Sequence, residues 1–227
     1  MRNIWSDEGD VRADVPLEKI HEAEMWRSAT VASPVPLGLI GFATATFILG
    51  FVMAAGGAVV AAVPVLLLFG GLTQWVMSFF ALRKGSTLAA TVFGTYGTFY
   101  LAYAMYVLYA AYWAPAGQLA NIGMGLGVFL FLIAFITLYL MLSAVQSNVA
   151  LAAVLGTLFL GYLCLGMGYE TGGMPLVSVW FPISGWILMI SGLIAYYASF
   201  AVVFNSAGHR AALPIGARGV EEVHTEA

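Results

Sequence analysis

Charged residues are scarce in this sequence and make up only 8% of its 227 residues. A soluble domain carries about a quarter. Residues 28–82, 85–169 and 171–209 contain no Asp, Glu, Lys or Arg, so the charge-free runs are 55, 85 and 39 residues long. Because 62% of all residues are also hydrophobic, this composition excludes an ordinary soluble domain. It indicates a chain that crosses a membrane several times.

The side chains that catalysis and metal binding require are also missing from these runs. The predicted membrane spans contain no Asp, Glu, Lys, Arg or His, and no two histidines stand at a metal-binding spacing. No Ser or Cys at membrane depth is accompanied by a His and a carboxylate. We therefore expect neither an intramembrane enzyme nor a transporter driven by a buried carboxylate pair. No catalytic residue, metal, cofactor or nucleic acid partner is expected.

The sequence is also poor in cysteine, and its N-terminus does not resemble a signal peptide. The one cysteine, Cys164, gives no information on redox compartment and is expected to be packed apolar surface. The N-terminus carries Asp7, Glu8 and Asp10 where a secretory signal would be basic, and no apolar core follows closely. The first membrane span is therefore expected to begin beyond residue 30.

The charge-free runs are long enough for six membrane-spanning helices. About 20 apolar residues cross the hydrocarbon core of a bilayer, so the runs hold two, three and one spans once Gly- and Pro-rich turns are allowed. We predict an all-α, polytopic membrane protein whose six transmembrane helices form a bundle around a narrow pore. The predicted spans are residues 36–55, 63–82, 88–113, 120–142, 149–168 and 181–204.

The basic residues near the spans all fall on one side of this layout. Arg27 precedes the first span and Arg210 follows the sixth. Arg83 and Lys84 join the second and third. By the positive-inside rule both termini are cytoplasmic, in a multi-pass protein of the cell (inner or plasma) membrane. The predicted parts are a cytoplasmic N-terminal tail at 1–32, a transmembrane domain at 33–206 and a cytoplasmic C-terminal tail at 207–227.

Hydroxyls, amides and aromatic rings take the place of charge in the spans, and such groups suit the conduction of a small polar solute. Gln74 is the most polar side chain expected at depth. It either holds two helices together or lines a pore, and the sequence leaves both interpretations open. Span three carries tyrosines at three- and four-residue steps, which follow a ridge that winds around a helix, so most are expected to serve packing or subunit contacts. Tyr96 differs, because Gly94 and Gly97 leave room beside its ring.

The segment SPVPLGL, from Ser33 to Leu39, stands directly before the first span. Its two prolines set an extended approach and then start a helix. The free N–H groups of the first helical turn attract anions weakly. The segment is therefore either an ordinary helix start or an anion-facing vestibule on the cytoplasmic side.

This segment resembles the signature of the acetate uptake transporter family, Asn-Pro-Ala-Pro-Leu-Gly-Leu, with Ser33 in place of Asn. The stretch LFGGLTQWVMSFFALRKGSTLAATVFGTYGTFY is similar to the family's second and third helices. The segment GHRAALPIG is similar to the family's closing Leu-Pro-Ile-Gly. These matches keep the family's order over roughly residues 33–216.

The resemblance implies a six-helix protomer that assembles as a homo-hexamer in the bilayer. Each protomer would pass acetate and other short monocarboxylates, with succinate a further candidate, as an anion channel or a proton-coupled symporter. The family's apolar constriction maps to Phe42, Tyr96 and Leu158. A serine at position 33 could still cap the helix or touch a carboxylate. The candidate substrate-binding residues are Ser33, Pro34, Pro36, Gly38, Gln74 and Thr95.

Two other classes of function share the uncharged spans. A passive channel for small neutral solutes such as urea, ammonia or water is one, although it has no reason to carry the proline signature. A membrane scaffold, in which the aromatic and glycine positions serve packing alone, is the other. The absence of a proton carrier in the spans favours cotransport of the neutral acid, or no coupling, over a protein-borne proton.

Overall fold

The structure, a computed structural model, describes residues 32–171, 178–208 and 213–216, together with Pro16, Lys19 and His21. The predicted tails at 1–32 and 207–227 fall largely outside these residues, as do Arg27 and Arg210. The tail boundaries and the basic flanks at both ends therefore stay predictions.

The described residues form six long helices close to the predicted positions. The all-α prediction is thereby confirmed, and each helix begins and ends within four residues of its predicted span. The helices are α1 (Val35–Ala54), α2 (Val59–Arg83), α3 (Thr87–Tyr112), α4 (Leu119–Val145), α5 (Val149–Glu170) and α6 (Trp180–Gly208).

Helix α3 differs from the other five in composition. A search of the described residues finds that the other five helices are long and apolar enough to cross a membrane. Helix α3 is 26 residues long, or about 40 Å, but it contains six tyrosines and four threonines. Tyr96, Tyr100 and Tyr103 are fully buried, so their polar atoms lie inside the bundle. A helix that keeps its hydroxyls inside can cross a bilayer with lower hydropathy.

The six helices close into a ring, in which each packs against the next along the chain and α6 returns to α1. Glycines allow the backbones to approach closely at these contacts. A Cβ added to Gly50 of α1 would lie 2.6 Å from the carbonyl oxygen of Gly185 in α6. A Cβ on Gly97 of α3 would lie 2.8 Å from the backbone nitrogen of Trp75 in α2. These contacts bring the inward-facing side chains together on the ring axis.

Helix α2 contains an eight-residue π-helix, Leu66–Thr73, followed directly by the α-helix Gln74–Arg83. The Thr73 hydroxyl donates to the carbonyl of Leu68, five residues back, at 3.0 Å. Gly70 and Gly71 pack against Tyr100 and Leu101 of α3. Wide turns of this kind are uncommon and often occur at functional sites.

A C-terminal strap, residues 213–216, closes one end of the ring. The first two backbone N–H groups of α5, from Val149 and Ala150, donate to the carbonyls of Gly216 and Ile215 at 3.1 and 3.2 Å. The amide of Asn205 in α6 makes two 2.9 Å hydrogen bonds with the backbone of Leu213. The strap lies at the end of the ring where α2 ends and α3 begins, which we call the inner end. The opposite end is the outer end.

Candidate transport pathway

The three residues predicted to form the constriction, Phe42, Tyr96 and Leu158, lie in the buried core of the ring, and we call them the neck. Phe42 projects from α1, Tyr96 from α3 and Leu158 from α5, and their exposed fractions are 3%, 0% and 0%. The Phe42 and Tyr96 rings meet edge to face, with centroids 5.7 Å apart. Three helices that are distant in sequence thus contribute these side chains to one buried core.

Tyr96 is fixed in the neck by Thr137 of α4. Its hydroxyl donates to the Thr137 Oγ1 atom at 2.9 Å, and the Thr137 hydroxyl donates to the carbonyl of Ile133 at 2.7 Å. A threonine hydroxyl has one proton, and that of Thr137 goes to Ile133. Tyr96 must therefore be the donor in its bond to Thr137, and its proton is not available to another partner. The ring is therefore oriented by a chain of two hydrogen bonds.

A cluster of tyrosines lies on the outer side of the neck. It comprises Tyr100 and Tyr103 of α3 with Tyr162 and Tyr169 of α5. Tyr100 bonds Thr46 at 2.5 Å and must be the donor, because the Thr46 proton already goes to the Phe42 carbonyl. The Tyr103 and Tyr169 hydroxyls lie 3.0 Å apart. Phenol hydroxyls thus continue the path beyond the apolar neck.

Gln74 is fully buried in α2 and uses one side of its amide only. Its Nε2 donates to the carbonyl of Gly70 at 2.7 Å, inside the same helix. Its Oε1 has no hydrogen-bond partner among the described residues. The bond that the structure shows therefore does not tie two helices together. The carbonyl oxygen is therefore a buried acceptor that no described residue satisfies.

Two cavities flank the filled centre of the ring. The outer cavity, of about 380 Å³, is lined by the ends of α2 to α5 and includes Tyr106 and Tyr169. The inner cavity, of about 60 Å³, includes Leu39, Phe93 and Ile215 of the strap. Phe93 and Tyr106 stand 13 residues apart on α3, which corresponds to about 20 Å. The buried side chains of the neck and the tyrosine cluster lie within this distance.

The proline segment lies beside the inner cavity. Helix α1 begins after Pro34, which is buried, and no side chain caps this end. Ser33 is exposed, and it does not supply the cap that its position in the sequence suggests. The Pro36 carbonyl accepts a 2.8 Å hydrogen bond from Ser199 of α6. Gly38 lies under the Phe93 ring, which leaves no room for a Cβ. The segment therefore docks α1 against α3 and α6.

The remaining sequence-predicted residue, Thr95, is half-buried next to Tyr96. Tyr162 and Thr137 also adjoin Tyr96 of the neck, and neither was predicted from the sequence. Tyr162 stands four residues after Leu158, on the same face of a helix. This spacing could have identified Tyr162 from the sequence. Thr137 is an isolated hydroxyl in an apolar run, but its partner is 41 residues away and no local pattern identifies it.

A model of the GPR1/FUN34/yaaH family matches residues 19–214 of this sequence. The chain belongs to this family. The match confirms the resemblance to acetate uptake transporters that the proline signature indicated. Together with the five described helices that are long and apolar enough to cross a membrane, it identifies a multi-pass membrane protein.

This chain matches several known proteins over nearly the whole of their length. The succinate-acetate/proton symporter SatP of Escherichia coli K12 is 29% identical over 201 residues, which is 82% of this chain and 96% of SatP. An uncharacterized protein of Methanothermobacter thermautotrophicus is 25% identical over 213 residues, 87% of this chain and 98% of its own. A solved structure described as the bacterial acetate channel SatP superimposes with a TM-score of 0.73 at 27% identity, over 82% of this chain and all of that one.

Proposed function

We propose that this protein carries acetate and other short monocarboxylates across the cell membrane, along the axis of the helix ring between the two cavities. The burial of Phe42, Tyr96 and Leu158 in one core, with the Phe42 and Tyr96 rings in contact, carries the proposal most directly. Membership of the GPR1/FUN34/yaaH family and the printed names of the SatP relatives support the substrate class. In this proposal both termini are cytoplasmic and the protomers form a homo-hexamer.

The chemistry of the path suits a carboxylate that must not be held tightly. Within the six described helices the charged residues are Arg83 and Glu170, and both stand at helix ends. The path therefore offers neutral O–H and N–H donors without a cation. An ionised carboxylate only accepts hydrogen bonds, so such donors hold it weakly and reversibly. The apolar neck then limits passage to small solutes.

The coupling mechanism follows from the same absence of charge. The printed names of the relatives include both a proton symporter and an acetate channel. No carboxylate or histidine stands in the interior of the six described helices to carry a proton. We therefore propose that a proton, where it moves, moves as part of the neutral acid, and that the protein needs no proton carrier of its own.

Uptake of labelled acetate into proteoliposomes tests the function. We expect saturable uptake that is absent from empty vesicles, together with an acetate current under an imposed voltage. Uptake that depends strictly on a pH gradient, with no anion current, would contradict the channel form of the proposal. Failure of acetate uptake alongside urea or water permeation would instead identify the passive channel for neutral solutes.

A matched pair of variants tests the location of the path. Phe42→Trp enlarges a side chain in the neck, and we expect it to reduce acetate uptake strongly. Phe135→Trp makes the same change at a position on α4 that is 66% exposed, and uptake should stay at the wild-type level. Equal uptake by both variants, with weaker subunit association, would support the scaffold interpretation.

A further inference from the structure

The Tyr162 hydroxyl is fully buried and has no hydrogen-bond partner among the described residues. It lies in the tyrosine cluster: the Tyr162 ring is 4.9 Å from Phe99 and 6.5 Å from Tyr96 between centroids. A buried hydroxyl without a partner is destabilising, because it loses its hydrogen bonds to water and gains none. Such groups are rare in folded proteins and call for an explanation.

The hydroxyls around Tyr162 are already committed to other partners. Tyr96, Tyr100 and Tyr103 surround Tyr162, and the Tyr100 hydroxyl lies near enough to interact with that of Tyr162. Tyr96 donates its proton to Thr137 and Tyr100 to Thr46, while Tyr103 pairs with Tyr169. The oxygens of these hydroxyls can still accept, but none meets the Tyr162 hydroxyl at hydrogen-bond distance and angle.

A tyrosine cannot satisfy itself in the way that smaller side chains can. Ser184 also has an unpartnered buried hydroxyl, but a serine can rotate to bond a carbonyl of its own helix. The phenol hydroxyl stands at the end of a rigid ring and cannot reach its own backbone. The Tyr162 donor therefore needs a partner that arrives from elsewhere on the path.

We propose that the Tyr162 hydroxyl donates a hydrogen bond to an oxygen of the passing carboxylate, and that Tyr162 is thereby a specificity-determining residue. The inference rests on the proposed function. Leu158 and Tyr162 are one turn apart on one face of α5, so this contact lies about 6 Å outward of the neck. The Tyr103–Tyr169 pair shares one hydrogen bond between two hydroxyls, which leaves one further proton free for the second carboxylate oxygen.

The test is acetate uptake by Tyr162→Phe, which removes the hydroxyl and keeps the ring. We expect the half-saturating acetate concentration to rise about ten-fold, as for the loss of one hydrogen bond to a charged group. The thermal unfolding temperature should stay the same or rise, because the variant loses no protein partner and removes a buried hydroxyl that has none. Tyr109→Phe, at an exposed tyrosine of α3, is the control for loss of a phenol hydroxyl and should match the wild type.

A second measurement does not depend on vesicles. Sodium acetate, compared with sodium chloride at equal concentration, should raise the unfolding temperature of the purified wild type and raise that of Tyr162→Phe less. No uptake by the wild type would refute the proposed function itself. Wild-type uptake with an unchanged half-saturating concentration in Tyr162→Phe would overturn the inference alone. A variant that unfolds earlier, or does not fold, would also overturn it, since the hydroxyl would then be a structural donor.

Discussion

The two sides of the neck differ in both size and chemistry. On the inner side the cavity is about 60 Å³ and its lining is apolar apart from Asn148, whose side chain is occupied in accepting from the backbone N–H of Leu151 at 3.0 Å. On the outer side the tyrosine cluster leads to a cavity of about 380 Å³. In the proposed pathway, the neck would therefore select by size and the tyrosine hydroxyls would select by hydrogen bonding.

The largest expected effect comes from the close contact of α2 with α3 beside the neck. In Gly97→Ala the new Cβ would lie 2.8 Å from the backbone nitrogen of Trp75, so α2 and α3 must separate. We expect a loss of about 1–3 kcal/mol in the free energy of unfolding, measured by thermal unfolding in detergent. Gly94→Ala is the matched control, because its Cβ meets only the Ser78 side chain at 3.6 Å. Equal unfolding temperatures for the two variants would contradict the assigned contact.

A second prediction separates size selection from the rest of the path. Phe42→Leu shortens a neck side chain and keeps it apolar, so propionate should gain relative to acetate, with the ratio of their uptake rates rising about five-fold. Phe129→Leu makes the same change in the outer half, where Phe129 stacks on Phe99 at 5.7 Å, and should leave the ratio unchanged. A ratio that rises equally in both variants would mean that size is read along the whole path.

A third prediction concerns the hydrogen bond that orients Tyr96. Tyr96→Phe and Thr137→Val should each reduce the free energy of unfolding by about 1 kcal/mol, and the double variant should lose less than the sum. The double-mutant cycle therefore measures the coupling between two hydroxyls 2.9 Å apart. Additive losses would show that the Tyr96 ring is held by packing alone.

The smallest effect on transport is expected at the inner end. Asn148→Ala removes the side-chain cap of α5 and should cost about 0.5–2 kcal/mol of stability. The half-saturating acetate concentration should not change, because the polar contacts of the path lie on the outer side. Asn148→Ser keeps a capping oxygen and should recover the stability. A shift in half-saturation with Asn148→Ala would place a substrate contact at the inner cavity as well.

The number and positions of the helices could be predicted from the sequence, because charge-free length and turn residues determine them locally. The ladder of tyrosines was harder to interpret. Tyr96, Tyr100 and Tyr103 are buried inside the ring, whereas Tyr109 and Tyr112 are exposed. The order in which the helices pack around the ring decides which face of α3 is buried. Periodicity alone could not supply that order.

The candidate site was only partly accessible to sequence reasoning. Phe42 and Tyr96 followed from motif resemblance, and their contact is present. The partners that orient them are distant in sequence, as with Tyr100 and Thr46, 54 residues apart. No side chain caps the start of α1, and the contact that fixes this end comes from Ser199 of α6, which donates to the Pro36 carbonyl and is 163 residues away.

The π-helix of α2 has a consequence for which way the rest of that helix faces. A π-helix accommodates additional residues compared with an α-helix of the same length, so it sets the rotation of every side chain that follows. Deleting one residue within Leu66–Thr73 would turn the helix Gln74–Arg83 by about 100° about its axis. Gln74 would then leave the interior, although no residue beyond the deletion had been replaced. The chain length of this segment is thus as much a determinant of the path as any side chain in it.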